Sequence, residues 1–236
     1  MGSTVGADME KEASMRIGKK SVTAALAISI LAAVAWSQTP DNLTIFTNYW
    51  KSRADLFRRL PNLQGEIVFL GDSITDGGEW AELTENPKCI NRGISGDTSW
   101  GVLIRLDEVT ESEPVKVFLM IGTNDLARGK PVAEVRDKIA EILDAIGKET
   151  PSTKVYLQSV LPTIESLAPL YLNDRINSLN EQLKVLAAAR GAVWIDLAAR
   201  FKDESGKLKA GLTDDGLHLN GEGYVLWRSL IRSDLQ

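Results

Sequence analysis

Between residues 66 and 195 of this 236-residue chain, short apolar runs alternate with amphipathic stretches. The runs are Glu66–Leu70, Cys89–Ile94, Val115–Ile121, Val155–Leu157 and Ala192–Ile195. The run Val115-Lys-Val-Phe-Leu-Met-Ile121 is almost continuously apolar, which suits a central strand of a parallel sheet covered on both faces. Between them, apolar residues recur at helical spacing, as in Val132, Val135, Ile139, Ile142, Leu143 and Ile146. Strands alternating with helices imply a parallel sheet with right-handed crossovers. The expected fold class is α/β: a three-layer α/β/α sandwich on a five-stranded parallel sheet, flavodoxin-like in outline.

The flanking segments complete the pattern. Residues 39–61 hold Trp50, Ala54 and Phe57 at helical spacing, with Pro61 as a stop; this helix is expected to pack outside the sheet without carrying chemistry. After Ser73 a helix resumes over Trp80–Leu83 behind Gly77-Gly78. A helix over Thr98–Leu106 is capped by Asp97 or Thr98. The helix begun at Pro131 stops near Gly147. Another runs over Leu172–Leu186 after a loop from Val160 to Pro169. Asp203–Asn220 reads as irregular, and a last helix covers Gly221–Leu235.

The amino terminus is different. Arg16, Lys19 and Lys20 precede the uncharged run Val22–Trp36, which ends in Ala33-Val34-Ala35. A basic start, an apolar middle shorter than a usual membrane span and a small-x-small ending match a secretory signal peptide. Residues 1–37 are expected to be an extension plus signal, and residues 38–236 a single domain. The expected location is secreted or periplasmic, the alternative being an uncleaved membrane anchor. No other apolar run is long enough to span a membrane.

Composition narrows the chemistry. A net charge of −5 without a basic stripe argues against nucleic acid as a partner. The single cysteine, Cys89, excludes an internal disulfide and reads as a packed thiol. With one histidine beside that one cysteine, a zinc site is not expected. Neither G-x-G-x-x-G nor a Walker motif is present, so the outline implies no nucleotide and no flavin. The expectation is no cofactor and no metal.

In open parallel sheets ligands gather at the carboxyl ends of the strands. Gly71-Asp72-Ser73, Ser95-Gly96-Asp97 and Gly122-Thr123-Asn124-Asp125 each follow a strand, and Asp214-Asp215-Gly216-Leu217-His218 can fold back onto the same edge. Ser73 is either a helix cap or a nucleophile. A serine nucleophile needs a base, and His218 is the only histidine. Asp215, three residues earlier, can orient the ring; Asp214 is an alternative that local chemistry does not separate from it. Developing negative charge on an ester oxygen needs donors. The Ser73 and Gly96 N–H groups and the Asn124 amide fit that role. Trp80, Trp100 and Tyr171 read either as packing at the sheet edge or as a sugar-stacking rim.

These four blocks, in this order over about Glu66 to Tyr224, resemble the SGNH hydrolases, also called GDSL esterases/lipases. The resemblance implies Ser73, Asp215 and His218 as a catalytic triad, and Ser73, Gly96 and Asn124 as the oxyanion hole. Asn91-Arg-Gly-Ile-Ser-Gly-Asp-Thr98 is further similar to the platelet-activating-factor acetylhydrolase-type and carbohydrate acetylesterase branches; there the oxyanion role is placed on Gly96 rather than Gly93. Threonine at position 75 breaks G-x-S-x-G, so the α/β-hydrolase elbow is disfavoured. The implied activity is a serine esterase removing short acyl groups, acetyl above all, from a carbohydrate or small alcohol. The alternatives are a lysophospholipase, thioesterase or arylesterase of the same fold, or a non-catalytic carbohydrate-binding scaffold. The expected partner is a small-molecule or polysaccharide ester.

Overall fold

A computed structural model of the chain describes residues 46–164 and 173–236. The extension and signal expected over residues 1–37, residues 39–45 of the first expected helical segment, Tyr171, and most of the loop up to Leu172 lie outside the described residues.

Five parallel strands form one sheet in the order β2-β1-β3-β4-β5. They are β1 Ile67–Gly71, β2 Cys89–Gly93, β3 Lys116–Met120, β4 Lys154–Gln158 and β5 Val193–Ile195. The order reverses at β1, whose neighbours are β2 and β3, and this is the switch point at which such sheets open a crevice. All five expected runs became strands, and their order is the flavodoxin-like one.

Successive strand side chains point to opposite faces, so the sheet buries two different layers. On one face Val68, Leu70, Val117, Leu119 and Leu157 meet two long helices, Val132–Glu149 and Asn173–Ala189. On the other face Phe69, Phe118 and Tyr156 stand side by side in register on β1, β3 and β4. Their rings stack at centroid distances of 5.0 and 4.5 Å, and Trp80 stacks on Phe69 at 3.9 Å. Trp227 of the last long helix, Gly221–Ile231, closes this layer, its indole N–H donating to Gln158 Oε1 at 2.8 Å.

The helices, in chain order, are α1 Asn48–Arg59, α2 Ser73–Asp76, α3 Trp80–Thr84, α4 Ser99–Ile104, α5 Asp107–Thr110, α6 Thr123–Ala127, α7 Val132–Glu149, α8 Asn173–Ala189, α9 Ala198–Phe201 and α10 Gly221–Ile231. Thr98, not Asp97, caps α4: its hydroxyl accepts the Gly101 N–H at 3.2 Å. The α7 helix passes through Gly147 and ends at Glu149, two residues beyond the glycine near which the stop was expected. A helical glycine costs only about 1 kcal/mol relative to alanine, and Thr150 closes the end by donating from both N–H and hydroxyl to Ile146 O. Cys89 is buried as expected, and burial pushes its thiol pKa up.

The α1 helix packs outside the sheet, with Trp50, Ala54 and Phe57 against Ile94. It also does something the sequence did not announce. Trp50 Nε1 donates to Asp97 Oδ1 at 2.8 Å, and the Tyr49 hydroxyl donates to Asp76 Oδ2 at 2.7 Å. Asp97 belongs to the loop after β2 and Asp76 ends α2, both at the carboxyl edge.

Candidate active site

Strand β1 runs out at Gly71, where the chain turns sharply. A Cβ on Gly71 would lie 2.4 Å from Met120 O, so the close approach of β1 to β3 requires glycine. Asp72 then caps α2, accepting the Ile74 N–H at 3.0 Å. With the capping done by Asp72, the Ser73 hydroxyl is free for another partner.

That partner is His218. Its Nε2 lies 2.9 Å from Ser73 Oγ, across 145 positions of sequence. Its Nδ1 lies 2.6 Å from Asp215 Oδ2. The other carboxylate oxygen of Asp215 accepts the N–H groups of Leu217 and His218 at 2.9 and 2.8 Å. Partial desolvation pushes the Asp215 pKa up, but the imidazole and these two N–H donors outweigh it and hold the carboxyl down at about 2. It is therefore a fixed negative charge. Asp215, rather than Asp214, is the acid on the ring. The local fold explains this: the Thr213 hydroxyl accepts the Gly216 N–H at 2.8 Å, and Gly216 takes φ +87, curling the segment back on itself. Such a line of groups moves a proton from the hydroxyl to the ring and stabilises the cation formed.

The expected donors sit beside it. Neither the Ser73 N–H nor the Gly96 N–H has an acceptor among the described residues. Gly96 has φ +78, and only one atom, Arg128 Nη2 at 4.0 Å, comes within reach of a Cβ placed there. Asn124 spends one amide hydrogen on Asp97 O at 2.9 Å and retains the other. Gly93 is differently placed. Its N–H is taken by Asn91 Oδ1 at 2.8 Å, and a Cβ there would lie 2.1 Å from Asp76 N. It is a packing glycine that lets β2 touch the Ser73 turn.

The surroundings that hold these groups were not read from the sequence. Asn91 Nδ2 reaches the carbonyls of Thr75, Asp76 and Gly78 at 2.9–3.1 Å. The Tyr224 hydroxyl donates to Ile74 O at 2.9 Å. Below the site lies Arg105, fully buried, which donates through Nε to Asp97 Oδ2 at 2.8 Å and through Nη1 to Glu108 Oε1 at 2.6 Å. Its Nη2 reaches Arg92 O at 2.9 Å and Gly71 O at 3.2 Å. One guanidinium thus ties the ends of β1 and β2 to the Gly96 loop. Asp125 holds the start of α4, accepting the Ser99 N–H at 3.1 Å and its hydroxyl at 2.7 Å. Burial raises the pKa of Asp72 to about 7 and that of Asp125 to about 6. Asn91, Asp97 and Asp125 had a signal in sequence, their place in the blocks that follow the strands, but their roles as supports did not.

Of the two readings of the aromatic residues, Trp80 takes the packing one. Trp80 is buried, its indole N–H donating to Thr75 O at 2.9 Å, so it is packing. Trp100 is half-buried under the Lys130 and Lys138 ammonium groups, 5.0 and 5.4 Å from its ring centroid. Among the described residues no cluster of His, Cys, Asp and Glu is arranged to hold a metal ion, and no helix is long and apolar enough to cross a membrane.

A switch-point serine, backed by an imidazole and a carboxylate and flanked by open N–H donors, defines a hydrolase of acyl bonds. Comparison with known proteins narrows the class. Residues 69–226 match the model of the GDSL-like Lipase/Acylhydrolase family. Platelet-activating factor acetylhydrolase IB subunit alpha2 of Rattus norvegicus is 30% identical over 167 residues, covering 68% of this chain and 71% of the relative. The Homo sapiens alpha1 subunit is 30% identical with the same coverage. Among solved structures, the GDSL-like lipase of Bacteroides thetaiotaomicron is 27% identical with a TM-score of 0.70, covering 79% of this chain and 96% of that one. The chain belongs to the GDSL-like lipase/acylhydrolase family, and it is a carboxylic ester hydrolase.

Proposed function

We propose that the protein is a serine esterase that removes short acyl groups, acetyl in particular, from a carbohydrate or small alcohol through an acyl-enzyme. The observation that carries this reading is the unbroken line from Ser73 Oγ to His218 Nε2 and from His218 Nδ1 to Asp215, at 2.9 and 2.6 Å.

Ser73 Oγ attacks the ester carbonyl while His218 Nε2 takes its proton. Negative charge forms on the former carbonyl oxygen and is met by the N–H groups of Ser73 and Gly96 and the free amide hydrogen of Asn124. The intermediate collapses, and His218 returns the proton to the departing alcohol. Water then attacks the acyl-enzyme, giving its proton to the same nitrogen, and the acid leaves as Ser73 recovers its hydrogen. Asp215 keeps its charge throughout, because its carboxyl is held at about 2.

Two observations favour a short acyl group. The curated relatives are named for acetyl hydrolysis, and no long apolar insertion follows the Ser73 or Gly96 blocks to cover a fatty chain. The basic, apolar and small-residue order of residues 16–36 supports export of the protein, which suits an extracellular ester.

The test is hydrolysis of p-nitrophenyl esters from acetyl to decanoyl by wild type and Ser73→Ala, followed by acetate release from acetylated xylan. Acetyl is expected to be the best acyl group, and Ser73→Ala is expected to lower kcat by about 10³-fold or more. Equal rates in the two proteins would remove Ser73 from the reaction, and a preference for decanoyl would overturn the acyl assignment.

A further inference from the structure

Ser73 and His218 stand on different parts of the chain. Ser73 begins α2, and His218 lies just ahead of α10. In the free enzyme their side chains meet in one hydrogen bond, Ser73 Oγ to His218 Nε2 at 2.9 Å. That bond is consumed by the reaction. Once Ser73 Oγ carries the acyl group it has no hydrogen to give, yet His218 must still be in place to take a proton from water. A contact outside the reacting pair has to keep the two elements in register at that stage.

The Tyr224 hydroxyl makes that contact. It reaches from α10 to the residue that follows Ser73, donating to Ile74 O at 2.9 Å across 150 positions of sequence. Among the described residues it is the only hydrogen bond besides the reacting pair that joins residues 71–78 to residues 213–231. Ile74 O can accept because a four-residue helix leaves its last carbonyls without backbone donors. On the other side, Tyr224 N–H donates to Asn220 O, and the Asn220 side chain caps α10 by accepting the Gly223 N–H at 3.2 Å. The backbone is thereby fixed from Tyr224 back to Asn220, two residues from His218. Gly77 makes room for the bond. Its φ of −74 is open to any residue, yet a Cβ there would lie 2.5 Å from the Tyr224 hydroxyl oxygen, and its next neighbours are at 3.5 Å. Glycine is required at 77 by the approach of that oxygen, not by the backbone.

We propose that Tyr224 is a positioning residue for deacylation: its hydroxyl ties α10 to α2 and keeps His218 facing the acylated Ser73 after their own hydrogen bond is gone. The proposal rests on the acyl-enzyme mechanism given above. Acylation starts with the Ser73–His218 bond already made and depends little on the tie. Attack by water lacks that bond and depends on the tie more, because a small misplacement of the base is costly to proton transfer. Burial pushes the Tyr224 phenol pKa up, so the group stays a donor throughout.

The experiment uses the full chain and p-nitrophenyl acetate, with wild type, Tyr224→Phe, Gly77→Ala, the double variant and Ser73→Ala compared well below their melting temperatures. Acylation is read from kcat/KM. Samples quenched in acid during steady turnover at saturating ester give, by intact mass, the ratio of acetylated to free protein, which equals the acylation rate constant over the deacylation rate constant. Phenylalanine keeps the ring against Trp80 and Trp227, 6.2 and 6.3 Å away between centroids, and removes only the hydroxyl. Tyr224→Phe is expected to raise the acetylated-to-free ratio about tenfold with kcat/KM within about threefold of wild type. Gly77→Ala is expected to do the same by pushing the hydroxyl off Ile74 O, and the double variant to add nothing further, since both act on one contact. A purely structural tyrosine would slow both steps together. That result, an unchanged ratio, or effects that multiply in the double variant would overturn the positioning role while Ser73→Ala, if inactive, leaves the serine mechanism standing. If Ser73→Ala remains active, the mechanism fails first and the role of Tyr224 falls with it.

Discussion

Replacing Asp72 with Asn makes the electrostatics behind the Ser73 turn measurable. Asp72 is fully buried, and burial raises its carboxyl from an ordinary 3.8 to about 7, helped by the nearby charges of Asp97 and Asp125. In the unfolded chain the group titrates near 3.8, so between the two values the native state holds a proton that the unfolded state has released. Stability is then greatest below the lower value, falls as pH rises through this window and levels off above about 7. Each unit is worth about 1.4 kcal/mol, so the full window amounts to about 4 kcal/mol. Asn keeps a carbonyl oxygen for the Ile74 N–H and removes the titration. The assay is urea unfolding of wild type and Asp72→Asn at several pH values from 4 to 8.5. The two proteins share every other ionisable group, so the difference between their curves isolates this carboxyl. That difference is expected to move in favour of Asp72→Asn by a few kcal/mol across the range. Parallel curves would show that the carboxyl titrates alike in both states and would refute the reasoning.

Asp215→Asn removes the charge beside His218 Nδ1 and offers an amide hydrogen where the ring nitrogen has its own; kcat for p-nitrophenyl acetate is expected to drop about 10²- to 10³-fold with the fold unchanged. The loss is set below that of a fully buried triad acid because this side chain is 55% exposed and water partly takes its place. Gly93→Ala places a methyl group 2.1 Å from Asp76 N; it is expected to destabilise the protein by about 1–3 kcal/mol in urea melts and to lower activity through the displaced Ser73 turn.

Much of this molecule was legible because its signals are local. Each strand is a run of apolar residues that needs no knowledge of its neighbours, and each block of the site follows a strand or holds a rare residue such as the single histidine. What escaped was of two kinds. The short helices Asp107–Thr110, Thr123–Ala127 and Ala198–Phe201 span a turn or little more, too few residues for a period to show. The buried charges Arg105, Glu108 and Asp97 were hidden for a different reason. Arg105 and Glu108 stand three apart, as an exposed ion pair on a helix does. Only the fold turns them inward, against Gly71 O and Arg92 O. Burying such a group is costly unless every hydrogen finds an acceptor, and those acceptors come from strands distant in sequence. Trp50 likewise reads as an apolar member of α1 until its N–H is seen on Asp97.

The 145 positions that separate Ser73 from His218 also have a meaning in time. A ribosome adding about 5–20 residues per second reaches the histidine about 7 to 30 seconds after the serine. Throughout that interval the hydroxyl is an ordinary alcohol with no base beside it. On the proposed mechanism, chains that stop short of residue 218 are therefore inert towards esters, and reactivity waits until the segment that carries His218 folds back onto the Ser73 turn.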